Sequence, residues 1–240
     1  MPFSLVDSHC HLDSFKKKQM DELPEDILPV TSGYSHKSNQ KNAEIARLLK
    51  IPFSLGIAPQ SAVFEGISKL DGWEEFIRSQ TPNAIGEIGL DFHWGKTEKH
   101  FEDEKILFAR MLNLAEDMHL PIVLHTRKAE DKCLDVLDSY GWKRPFMMHF
   151  FSGDAETAKR AVKMGGIISI PPLHSKDRKK TIEAVPLEKL VAETDAPYIT
   201  RGIEGVRDAV QYIAEVKNIP FEKAAEATSR NSATFFNFEI

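Results

Sequence analysis

The chain has 240 residues, 42% hydrophobic and 28% charged. That composition is globular, and the length suits one α/β barrel, which needs roughly 250 residues. The net charge of −5 excludes a surface coated in positive charge for nucleic acid, though not a local basic patch. The apolar runs fall far short of the roughly 20 residues of a membrane span, so no membrane association is expected. The segment from Phe3 runs directly into histidines rather than into a leader cleavage site. Two cysteines, Cys10 and Cys133, make no disulfide framework and point to a reducing cytoplasm.

In chain order, short apolar runs recur at 3-FSLVD, 27-ILPVTSG, 53-FSLGIAP, 84-AIGEIGLD, 121-PIVLHT, 146-FMMHFFSG, 167-IISIPP and 190-LVAETDAP. Each has the length and residue types of a buried strand. Several are continuously apolar, as expected of parallel strands covered on both faces. Helical patterns lie between them. In 98–119, Phe101, Phe108, Met111, Leu112, Ala115 and Met118 fall on one face, and Pro121 bars extension. In 128–141, Ala129, Cys133, Val136, Leu137 and Tyr140 do the same, with Gly141 placed to stop the helix. Asp154 reads as an N-cap for 155–164. The segment 204–218 is a further amphipathic helix, followed by shorter helical stretches after Pro220. Eight alternating units predict a closed (β/α)8 TIM-type barrel forming a single domain over 1–240, ahead of an open doubly wound sheet.

In such a barrel the chemistry sits at the C-terminal ends of the strands. The first run ends in His9 and His11, whose i and i+2 spacing in an extended segment aims both imidazoles at one point while Cys10 faces the other way. The fourth run carries Glu87, the fifth ends in His125, the sixth in His149 and the eighth in Asp195. The second, third and seventh end without a strong ligand. Four imidazoles and two carboxylates suit divalent ions such as Zn²⁺ or Mn²⁺, or a mixed site tolerating Mg²⁺. Six ligands exceed the need of one ion that keeps a position open for water. Two ions sharing one carboxylate would use them all.

The stretches DSHCHLD (7–13), GEIGLDFHW (86–94), LPIVLHTR (120–127), HFFSG (149–153) and ETDAPY (193–198), with a weaker echo in TSRNSATFF (228–236), together resemble the TatD family of metal-dependent deoxyribonucleases in the amidohydrolase superfamily. The resemblance implies a TIM-type barrel and hydrolysis of DNA phosphodiesters by water activated between two divalent ions. It assigns His9, His11 and Asp195 to one metal, His125 and His149 to the other, and Glu87 to the bridge. Where relatives in the wider superfamily use a carboxylated lysine as that bridge, the fourth strand here has none. The sequence departs from the family pattern at Phe150, at Met111, and after Tyr198, where Arg201 stands without an Asn-x-Pro motif.

On this reading Asp195 is the general base and Glu87 sets the metal separation. Arg127 is a candidate for gripping a phosphate oxygen, with His93 and Arg201 as further candidate substrate contacts. Two basic runs, 16-KKK and 176-KDRKK, leave the same end of the barrel and offer, with Arg127, Lys128 and Arg201, a positive rim for the phosphates of DNA. Phe92, Trp94 and Phe151 are candidates for stacking on unpaired bases. His36, His100, His119 and His174 read as surface residues. The competing expectation is a small-molecule amidohydrolase or phosphatase using the same binuclear centre.

Overall fold

The computed structural model describes residues 4–239, so Phe3 lies outside the described residues. Eight parallel strands form a nearly closed barrel in sequence order. They are β1 (Leu5–Cys10), β2 (Ile27–Ser32), β3 (Phe53–Leu55), β4 (Ala84–Gly89), β5 (Ile122–His125), β6 (Phe146–Met148), β7 (Gly166–Ile170) and β8 (Leu190–Ala192). Every apolar run singled out in the sequence carries one of them. Around the barrel run α1 (Lys17–Asp21), α2 (His36–Leu49), α3 (Pro59–Glu65), α4 (Leu70–Ser79), α5 (Glu98–Asp117), α6 (Glu130–Tyr140), α7 (Ala155–Lys163), α8 (Lys176–Ala184), α9 (Val206–Lys217) and α10 (Phe221–Phe236). None of the described helices is long and apolar enough to cross a membrane.

The capping signals act as their chemistry requires. The Asp154 carboxylate accepts the Thr157 N–H at 2.8 Å at the start of α7. Gly141 ends α6 in the left-handed conformation, at φ 77°. After Pro220 the chain forms one continuous 16-residue helix, α10, rather than shorter stretches. Its Ala, Ser and Thr residues pack it closely against the barrel. Phe235 and Phe236 plug the barrel floor, in a cluster with Val6, Leu28, Val30, Ala84, Val123, Met147, Ile167 and Val191. Above this layer the interior turns polar, with Ser8, Ser32, Ser54 and Ser169 joined by hydroxyl hydrogen bonds. The larger apolar cluster lies between strands and helices.

The seam between β8 and β1 is closed by bonds that also fix the catalytic end. The Ser8 hydroxyl donates to the Ala192 carbonyl at 2.7 Å. The Asp7 carboxylate accepts the Thr194 N–H and hydroxyl at 2.9 and 2.5 Å. Beyond the strands, the Asp195 N–H donates to the His9 carbonyl at 3.0 Å, and the His11 N–H to the Ala196 carbonyl at 2.7 Å.

Two strands depart from regular pairing, and both departures aim chemistry inward. In β1 the register slips between Asp7 and Cys10. Leu5 faces the helices and Val6 the interior. Strict alternation would therefore send His9 outward with Leu5. The slip turns His9 and His11 inward and leaves Cys10 in the outer cluster, with its thiol against the Val30 carbonyl. In β4 the register shifts between Ile85 and Ile88, both outward-facing, and Glu87 between them turns inward.

Candidate metal centre

Glu87 stands at the middle of the barrel mouth, and its two oxygens face two different groups. Oε1 lies 3.4 Å from His9 Nε2 and 3.3 Å from His11 Nε2. Oε2 lies 3.1 Å from His125 Nδ1 and 3.9 Å from His149 Nε2. On the first side, the two Nε2 atoms of His9 and His11 are 3.3 Å apart, and His11 Nε2 is 3.1 Å from Asp195 Oδ1. Donors held about 2.0–2.1 Å from one tetrahedral ion stand about 3.3–3.4 Å from each other. The spacing among His9, His11 and Glu87 is of that size. His9, His11 and Asp195 form one ligand-competent triad and Glu87, His125 and His149 another, and His9, His149 and Glu193 form a third that overlaps both halves. The six residues expected at the strand ends are thus brought together, and their donor set fits divalent metal ions.

Each ring is held from behind, which fixes the nitrogen that faces the centre. His11 Nδ1 donates to the Ser32 carbonyl at 2.9 Å, and His9 Nδ1 meets the Ser32 hydroxyl at 3.1 Å. His149 Nδ1 sits 3.1 Å from Glu193 Oε2, leaving Nε2 toward Glu87. His125 is oriented the opposite way: its Nε2 bonds Asp91 Oδ2 at 2.8 Å, so Nδ1 faces the centre. Glu193 is spent on these supports. Its Oε2 also accepts the Ser169 hydroxyl at 2.6 Å, and its Oε1 accepts the Phe150 N–H at 2.6 Å. That last bond helps hold Phe150 at φ 47°, a costly conformation for a bulky residue. Asp195 is also left-handed, at φ 52°, which short polar side chains tolerate best.

Glycines admit the close strand approach. A Cβ on Gly86 would lie 2.5 Å from that of Val123, and one on Gly89 would lie 2.2 Å from the His125 carbonyl oxygen. The GEIG sequence therefore lets β4 sit against β5 where Glu87 and His125 meet.

The protonation pattern follows from the packing of charges. Burial alone would raise the Glu87 carboxyl, but hydrogen bonds from His125 and His9 and the His11 charge hold it well below the usual carboxylate range. Burial opposes the charged form of His11, yet Asp195 and Glu87 push it up to about 10. His125 is likewise pushed up to about 9 against burial by Asp91 and Glu87. His9 is lowered by burial and by the neighbouring His149 charge. Asp195 stays below its ordinary value because His11, His149 and His9 outweigh its burial.

A cleft of about 470 Å³ opens over this cluster, lined by His125, Arg127, Lys128, His149, Phe150, Asp195 and Tyr198 among others. Arg127 and Lys128 are exposed there and make no ion pair among the described residues. Tyr198 and Tyr34 lean edge-on against the His11 ring, their hydroxyls 3.2 Å apart.

Other sequence candidates lie elsewhere. Arg201 is exposed beside Phe15, Gln19 and Glu22 in a separate hollow, and its carbonyl accepts the Gln19 side chain. His93 stands at the rim, its N–H bound to Asp91 Oδ1 at 2.7 Å. Phe151 is 2% exposed and belongs to the core, so it offers no stacking face. His36 is half-buried against Trp73 and Phe76, and His100 is half-buried, whereas His119 and His174 are exposed. Of the basic runs, Lys18 faces Glu22, Lys179 faces Glu183 and Lys180 faces Asp177. Arg178 folds inward to the Leu173 and Phe151 carbonyls. Sequence reasoning passed over the supports Asp91 and Glu193, although each is a carboxylate at an apolar strand end, two to four residues from a ligand candidate.

The family model described as TatD related DNase matches residues 6–237. The chain belongs to the TatD family. A relative named as an uncharacterized metal-dependent hydrolase of Methanocaldococcus jannaschii is 34% identical, over 96% of each chain. Deoxyribonuclease TATDN3 of Homo sapiens is 26% identical, over 97% of this chain and 94% of its own. The crystal structure of the TatD homolog YjjV from Escherichia coli superposes with a TM-score of 0.84 at 25% identity, over the whole of both chains. This TatD protein is accordingly a metal-dependent hydrolase built on a TIM barrel.

Proposed function

We propose that this TatD protein hydrolyses phosphodiester bonds of DNA with two divalent ions held at the barrel mouth. His9, His11 and Asp195 would hold the first ion and His125 and His149 the second, with Glu87 standing between the two sets. The division of the Glu87 oxygens between two histidine sets carries this reading. Imidazole-rich sets favour Zn²⁺ or Mn²⁺ over Mg²⁺. Ions bound there supply Lewis acidity, acidifying water and neutralising charge on a phosphodiester.

The chain's own groups supply the rest. The Asp195 side chain is 15% exposed, lines the cleft, and is kept ionised by its histidine neighbours. It is therefore the proton acceptor for the attacking water. Glu87 fixes the separation of the two sets. Arg127 and Lys128, exposed and without ion pairs among the described residues, are free to grip phosphate oxygens on either side of the scissile bond. The open cleft and its cationic wall favour a polyanion over a small neutral amide or lactone. The name of the human relative supports the same substrate.

The deciding experiment is an assay of the metal-reconstituted protein on end-labelled single- and double-stranded DNA, run beside phosphomonoester, lactone and amide substrates, with Glu87→Gln as control. Cleavage of DNA that is lost in the variant is expected. Turnover of a small ester or amide with intact DNA would replace this reading with that of a small-molecule hydrolase.

A further inference from the structure

On α3 and on the loop that follows β4, two large aromatic rings are left open to solvent. Phe64, at the end of α3, is 67% exposed, and Trp94, in the loop after β4, is 43% exposed. Their ring centroids are 5.7 Å apart at an interplanar angle of 65°, so they form one angled wall. The His93 ring extends it, with its centroid 5.0 Å from that of Trp94.

This wall is tied to the chemistry. Asp91 bonds His125 through Oδ2, and through Oδ1 it accepts the N–H groups of His93 and Trp94 at 2.7 and 3.1 Å. The Phe92 N–H donates to the Arg127 carbonyl at 3.1 Å, locking the aromatic loop to the cationic one. Partial desolvation, and after it the nearby charges of Arg127, Lys128 and Lys96, disfavour the charged form of His93. Exposed aromatic rings on a loop bonded to one that carries cations without ion pairs among the described residues match a planar ring linked to a phosphate.

We propose that Phe64 and Trp94 form a stacking wall for an unpaired nucleobase next to the phosphate held by Arg127 and Lys128. The inference rests on the phosphodiesterase reading and adds a base subsite to it. Stacking accepts any base, since each has a π-face. The site therefore grips the strand without reading its sequence.

The tryptophan complement supplies a direct probe. Of the three tryptophans, Trp73 and Trp142 are 5% and 6% exposed, so Trp94 is the one a ligand can reach. The metal-loaded protein is titrated with a phosphorothioate-linked oligothymidylate, and separately with an abasic chain of equal length and charge. The oligothymidylate is expected to quench Trp94 emission and to bind about 5- to 150-fold more tightly than the abasic chain, the range a stacked base supplies. Trp94→Ala and Phe64→Ala, on separate elements, should each remove most of that difference, and Trp94→Phe should restore it. Equal binding of both chains, with DNA still cleaved, overturns the base subsite and leaves the phosphodiesterase reading standing. No binding of either chain and no cleavage overturns both. If Trp94→Ala changes only the oligomeric state, the wall is an interface with a second copy and the subsite is overturned.

Discussion

Asp91 Oδ2 lies 2.8 Å from His125 Nε2, and this contact decides which nitrogen of His125 faces Glu87. Among the four histidines of the centre, His125 is the one that turns Nδ1 inward. The flanking carboxylate fixes that orientation and raises the basicity of the ring. Loss of such a partner typically costs 10- to 100-fold in metal affinity or activity. Asp91→Ala should weaken one of the two binding steps by about that factor and leave the other nearly unchanged. Chelator competition with one and then two equivalents of Zn²⁺ measures both steps. Equal loss in both would show that Asp91 shapes the whole mouth rather than one half of it.

Gly89 sits at φ +137°, with the His125 carbonyl oxygen 2.2 Å from where a Cβ would be. Gly89→Ala must push β4 away from β5 where Glu87 meets His125. A loss of about 2–4 kcal/mol in urea denaturation is expected, from overpacking added to backbone strain. Gly72, in α4, has open space around the same position. Gly72→Ala should instead gain about 0.5–1 kcal/mol. A Gly89→Ala protein of ordinary stability and full metal content would refute the close-approach argument.

His11 and His125 are pushed up to about 10 and about 9 when no ion is bound, from an ordinary value of 6.5. Both then carry a proton at neutral pH that a metal must displace. His149 is raised as well, by Glu193 and Glu87 against its burial, so metal binding at pH 7.5 should release at least two protons, read by calorimetry in buffers of different ionisation enthalpy. Because the folded values lie above the unfolded one, these charges stabilise the metal-free protein fully below about pH 6.5. That contribution declines as pH rises through about 9 to 10, while metal affinity climbs over the same interval. A metal-free protein whose melting temperature rises between pH 8 and 10 would contradict the assignment.

The expectation of eight strands survives because each is a short, almost wholly apolar run, and parallel strands covered on both faces need nothing else. The candidate ligand positions stood out for the same reason: a His, Glu or Asp ending such a run has no packing role to explain it. The inward turn of His9 and Glu87 was not legible. Strict alternation from Leu5 and Ile85 sends both outward, and only the register slips in β1 and β4 bring them in. The supports were hidden by distance. Glu193 serves His149 and Asp91 serves His125, across 44 and 34 residues of chain. Arg201 and Phe151 show the reverse failure. Proximity to a motif suggested a substrate contact, but the turn after β8 carries one aside and the core claims the other.

Arg127 and Lys128 follow His125 directly, are exposed, and line the cleft. If they contact DNA phosphates, each releases a condensed counterion on binding. The slope of log K against log salt should then become shallower by about 0.7–0.9 for each one removed. Arg127→Ala and Lys128→Ala should both show this with little dependence on sequence, because phosphate contacts carry no base information. Lys17 supplies the comparison: it is exposed on α1, outside the cleft lining. A shallower slope for Lys17→Ala would extend the footprint along α1. An unchanged slope for Arg127→Ala and Lys128→Ala would mean that the polyanion crosses the barrel mouth elsewhere.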